Sequence, residues 1–185
     1  MKDFGHVSAI RVVFTVLAAA AAAVPASAAP ASGAPASGAL VSAALAAQEG
    51  LLRIDLAQTA AVVSNVDGAV RISFPVRLAF VADAAELLPA GKTMLDLVAA
   101  SLRKFGQSRA VVAVYTDAIG SAQFNREQSL LRAAAVVSYL RSRGVPPVRL
   151  IARGVGEEQP LNAENTPEGR ELNRRLELTI TALSS

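Results

Sequence analysis

An α+β fold of two layers, with helices packed on one face of a mixed β-sheet, is predicted by three features of this 185-residue chain. Short β-branched runs alternate with longer stretches whose apolar residues recur every three or four positions. Glycine and proline pairs separate them, and the last run alternates strictly between apolar and polar. The order is strand, helix, strand, helix, strand, short helix, strand, a βαβαββ-type order once the short helix is set aside. It leaves each apolar face one partner layer to bury against.

The elements follow in chain order. Val62 to Val66, Asp67-Gly68 and Val70 to Phe74 read as two extended runs about a tight turn. Pro75 interrupts the second, and Val76 to Phe80 is expected to continue as an edge or bulged strand, because proline cannot donate to an interior ladder. From Pro89 to Phe105 the spacing of Leu95, Val98, Leu102 and Phe105 predicts a helix with that face in the core. Ala110 to Tyr115 is a short Val-rich strand. A second helix runs to about Arg143, with Leu130, Ala134, Val137 and Leu140 expected inside, and Gly144 and Pro146-Pro147 stop it. Val148, Leu150 and Ala152 suggest another strand. Thr166-Pro167 has the cap-then-proline signature of a short helix start, and Leu176, Leu178 and Ile180 close the chain as a strand.

The first fifty residues have another texture. Lys2 and Arg11 precede an apolar run from Val12 to Val24, and Pro25-Ala-Ser-Ala28 supplies the small residues read by signal peptidase, so residues 1–28 are expected to be a cleavable signal peptide. The other reading is a retained anchor, but the run is short of the roughly 20 residues a spanning helix needs. Residues 29–50, rich in alanine, proline, serine and glycine, read as a flexible linker. The folded domain is then 51–185, with its core at about 70–182. Residues 29–60 cannot supply the roughly eight alternating strands of an outer-membrane barrel.

Composition excludes several function classes. The formal charge of +3 is too small and too evenly spread for a phosphate-backbone footprint, so no nucleic-acid partner is expected. Cysteine is absent and the sole histidine is His6, which leaves the segment after residue 28 without thiol or histidine chemistry. No cofactor, no metal and no enzymatic reaction are expected.

One polar constellation stands out. Thr116 and Asp117 end the Val-rich strand, Gly120 and Ser121 turn the chain, and Asn125, Ser129 and Arg132 follow at helical positions i, i+4 and i+7. Asp117 and Arg132 match the two ends of a zwitterion, one accepting from an ammonium and the other gripping a carboxylate with parallel donors. Spacing alone leaves a second reading open, in which the two pair with each other as a structural bridge.

The segment VYTDAIGSAQFNREQSLLRAAAVVSYLRSRGV, then GVGEEQP, then NTPEGRELNRRLELTI resembles the C-terminal domain of the OmpA/MotB family. The shared motifs stand at Thr116-Asp117, Phe124-Asn125, Ser129 to Ala133, Gly154 to Glu157 and Asn173 to Arg175. The resemblance implies an OmpA-like domain that binds peptidoglycan noncovalently through the diaminopimelate of its stem peptide. The family's aspartate and arginine fall on Asp117 and Arg132, and its pocket and adjoining strand start on Asn125, Ser121, Asn173 and Arg174. It also implies a periplasmic, cell-wall-associated protein, with outer-membrane association and envelope-protein partners left open. Three departures, Val114-Tyr115 for glycine and histidine, Val81 for an aspartate and Gln128 for leucine, point to altered affinity. Two alternatives remain: a degenerate domain kept for protein contacts in an envelope assembly, and an inner-membrane-anchored, stator-like tether.

Overall fold

The computed structural model describes residues 37–162 and 166–183; the leader expected over 1–28 and the linker from 29 to 36 lie outside them. The elements are α1 (Ser37–Asp55), β1 (Val62–Val66), β2 (Ala69–Pro75), α2 (Val76–Ala79), α3 (Pro89–Lys104), β3 (Ser108–Tyr115), α4 (Ala122–Ser142), β4 (Leu150–Gly156), α5 (Pro167–Asn173) and β5 (Arg175–Ala182). None of these helices is long and apolar enough to cross a membrane.

The β1–β2 hairpin forms where alternation and turn chemistry agree. Asp67 and Gly68 both take positive φ, 52° and 76°, the geometry that matches the right-handed twist of the flanking strands. The sheet order is β1-β2-β5-β3-β4, with only β3 and β4 parallel. That parallel pair needs a crossover, which α4 supplies. The most regular alternation in the chain, β5, takes the centre. Its Leu176, Leu178 and Ile180 pack with Val70, Ile72 and Phe74 of β2 and Ala110, Val112 and Val114 of β3 under the helices.

Four expectations are corrected. Val76 to Phe80 is not a strand. Pro75 (φ −62°, ψ 131°) ends the ladder and launches α2, in which the Phe80 amide donates to the Val76 carbonyl at 2.9 Å. The linker reading fails from Ser37 on, because α1 occupies Ser37–Asp55. Its alanines and leucines favour helix, and Leu45, Gln48, Leu52 and Leu56 share one inward stripe. The buried face of α4 is Asn125, Ser129, Ala133, Val136 and Leu140, whereas Leu130 and Ala134 are exposed and Val137 is half-buried. The two polar members of that face find tertiary partners, which apolar periodicity cannot register. Val148 lies in a 3-10 turn over Pro147–Arg149, 88% exposed, and the strand starts only at Leu150.

α4 rides directly on β4. A Cβ added to Gly154 would stand 2.5 Å from the Leu130 amide nitrogen, so only glycine allows this approach. Among the described residues no helix covers the sheet's other face. At one end of it Ala113, Tyr115 and Val155 form a small cluster, with the Arg175 guanidinium 3.6 Å from the Tyr115 ring centroid. Burial, then the Glu177 charge, pushes the Tyr115 hydroxyl's pKa up.

Candidate functional site

The site begins where β3 runs out. The Thr116 amide still bonds the Gly156 carbonyl at 2.8 Å, but Asp117 turns away from the sheet and is buried. Its Oδ1 accepts from the Ile119 amide at 3.2 Å, a local turn that aspartate favours. Its Oδ2 pairs with Arg174 Nη1. Arg174 also binds Glu171, and Glu171 Oε1 meets Arg77 Nε at 2.7 Å, so Asp117 ends a four-member chain of alternating charge. Burial opposes the charge on Arg174, yet the bonds from Glu171 and Asp117 prevail and raise its pKa.

Gly120, at φ 102°, turns the chain into α4, and Ser121 caps that helix by accepting from the Phe124 amide at 3.2 Å. One turn on, Asn125 is buried and donates to the Asp117 carbonyl at 3.2 Å and to Glu157 Oε2 at 2.7 Å. Ser129 accepts from the Gly156 amide at 3.0 Å. These bonds lock the start of α4 to the ends of β3 and β4, and thereby fix where Arg132 emerges.

Arg132 is held differently. Its Nε donates to the Ala84 carbonyl at 2.9 Å and its guanidinium lies 5.7 Å from the Phe80 ring centroid. Among the described residues no carboxylate forms an ion pair with it. Burial lowers its pKa, while the attraction of Asp83 acts against that shift. The structural bridge between Asp117 and Arg132 is therefore not formed. Instead both line a cleft of about 520 Å³, together with Thr116, Phe124, Gln128 and Arg174. Such a cleft offers an accepting carboxylate and a donor fork without a partner carboxylate, a pairing suited to a ligand bearing both an ammonium and a carboxylate.

Of the six residues singled out from sequence, Asp117, Asn125, Arg132 and Arg174 line the cleft. Ser121 is a helix cap. Asn173 is buried away from the cleft, where its Oδ1 accepts from the Leu161 and Asn162 amides at 2.8 and 3.0 Å. Sequence reasoning missed Asp83, which lines the cleft two residues beyond Val81, and Glu157, which anchors Asn125. The Gly-x-Gly-Glu motif was the available signal for Glu157. Val114 lies in the core and Tyr115 on the opposite sheet face, so neither replacement reaches the cleft.

A model of the OmpA family matches residues 79–174, a span that contains Asp117, Arg132 and Arg174. The chain belongs to the OmpA family. The Probable lipoprotein YiaD of Escherichia coli (strain K12) is 32% identical over 136 residues, covering 74% of this chain and 62% of that protein. The Peptidoglycan-binding protein ArfA of Mycobacterium tuberculosis is 38% identical over 103 residues, covering 56% of this chain and 32% of that protein. This OmpA-family chain thus spans less than two thirds of either relative. A MotB-like protein of Desulfovibrio vulgaris shares its fold, at TM-score 0.68 and 23% identity over 78% of this chain and 95% of that one.

Proposed function

We propose that the chain is a noncovalent peptidoglycan-binding module of the cell envelope, exported through a cleavable leader to the periplasm, which holds the diaminopimelate of the stem peptide between Asp117 and Arg132. The observation that carries this reading is that the two charges face one cleft without pairing to each other, and among the described residues Arg132 forms no ion pair with a carboxylate. Asp117 keeps acceptor capacity beyond its bonds to Ile119 and Arg174, since a carboxylate offers about four lone-pair sites. The diaminopimelate ammonium approaches Asp117 and its carboxylate approaches the terminal nitrogens of Arg132. No bond is made or broken. The peptidoglycan-binding relative ArfA supports the substrate class.

Sedimentation with purified sacculi tests the reading. The full chain is expected to co-sediment, and Asp117→Ala and Arg132→Ala to remain in the supernatant while keeping the parent's circular dichroism spectrum. A folded parent that stays in the supernatant would overturn the proposal. It would favour instead a module for protein contacts, built on the exposed Ile119 and Phe124 at the cleft rim.

A further inference from the structure

The sheet face turned away from the helices has its own charge pattern. Register places Ser64, Arg71, Thr179, Val111 and Ile151 in one row across all five strands. Arg109 stands beside Thr181, two residues to one side of that row, and Arg153 beside Ala113, two residues to the other. Among the described residues of these strands Arg175, itself buried, makes a fourth cation on this face, against one carboxylate, that of Glu177. Arg175 takes Glu177 at 2.7 Å and Arg71 lies 3.9 Å from it, so that one acid is already shared. Among the described residues Arg109 bonds the Thr181 hydroxyl at 3.3 Å and forms no ion pair, and neither does Arg153. Both are exposed, as is Ile151, and Thr179 and Thr181 are half-exposed.

The spread of these cations selects among anions. Arg71 and Arg153 are three strand spacings apart, about 14 Å, and Arg109 and Arg153 are four residues apart along the strand direction, about 13 Å. A single small anion cannot reach all three, and a linear polymer would meet them only along one diagonal. A two-dimensional array of phosphates meets them together, with the threonine hydroxyls between them as further donors and Ile151 at the boundary.

We propose that this open sheet face is a docking surface for an anionic phospholipid headgroup layer, separate from the cleft at Asp117 and Arg132. The test uses the full chain and its Arg109→Gln/Arg153→Gln and Arg109→Glu/Arg153→Glu variants. Each is sedimented with vesicles of phosphatidylglycerol and phosphatidylcholine and with vesicles of phosphatidylcholine alone. The readout is the ratio of the two affinities, in which any contribution of residues 12–24 to neutral vesicles cancels. The parent is expected to prefer the anionic vesicles, and the preference to fall about fivefold for each arginine changed to glutamine and further for glutamate. Added salt should abolish it as the Debye length shrinks toward about 3 Å at 1 M. Both double variants should still sediment with sacculi as the parent does, which separates this face from the cleft. Equal binding to both vesicle types, or a preference unchanged in the glutamine variant, overturns the proposal. So does retention of polyphosphate without anionic vesicles, which would identify a linear polymer as the partner.

Discussion

The two sides of the cleft are built on opposite principles. Asp117 is fixed from every direction: a backbone amide and Arg174 hold its carboxylate, Asn125 holds its carbonyl, and Glu171 and Arg77 extend the chain behind it. Arg132 has one bond to a backbone carbonyl and a ring beneath it. The difference shows how the proposed binding site divides its work. A carboxylate can be immobilised and still accept another donor, whereas an arginine tied to a carboxylate would have lost the donor fork that a carboxylate-bearing ligand would need.

The strongest way to break this comparison is Arg132→Ala. It should weaken sacculus binding by the equivalent of about 1.5–3 kcal/mol, one charge-assisted interaction, with little change in melting temperature. Arg132→Lys should recover only part of that loss, because the charge remains but the paired donors do not. On the fixed side stability should suffer instead. Asn125→Ala strips a donor from the Asp117 carbonyl and from Glu157, and chemical denaturation should report a loss of about 1–3 kcal/mol. Arg174→Gln should lower sacculus affinity severalfold as Asp117 loses the partner on Oδ2. Its stability cost should stay below about 1 kcal/mol, since Arg174 is 37% exposed. The smallest effect belongs to Arg77→Ala, at the exposed end of the chain of charges: less than about 0.5 kcal/mol by denaturation and no measurable change in sedimentation. A large binding loss from Arg77→Ala would show that the whole charge chain, and not its last link, sets the Asp117 position.

Most of the sheet was legible because its signals are local. The Asp67-Gly68 turn, the alternation of β5 and the Thr166 cap, which accepts from the Gly169 amide at 3.0 Å, each involve residues a few positions apart. The errors fall where a distant partner decides. Asn125 and Ser129 face inward on α4 because Glu157 and Gly156, some thirty positions on, satisfy them, and this rotates the helix so that Leu130 faces outward. In α1 and the turn that follows it the stripe of Leu45, Gln48, Leu52 and Leu56 was readable, but it begins inside an alanine-rich stretch with the look of a tether. Its one buried polar member, Gln48, bonds Ser101 on α3 at 3.3 Å. At the site, Asp117 and Arg132 could be named from spacing and resemblance. That Asp117 pairs with Arg174, and so leaves Arg132 to the cleft, depends on how β5 begins beside β3, a long-range fact.

The nearness of α4 to β4 at Gly154 gives the cleft its tolerance. With a methyl group there, 2.5 Å from the Leu130 nitrogen, the helix would have to retreat by about 1 Å or more to restore ordinary contact at roughly 3.5–4.0 Å. Arg132 sits two residues further along the same helix and would move with it, whereas the Asp117 carboxylate is held by Arg174 and the Ile119 amide and is tied to α4 only through the bond from Asn125 to its carbonyl. The distance between the two charged groups that line the cleft is thus gauged by an atom the chain does not have, and a single added carbon at Gly154 would change it.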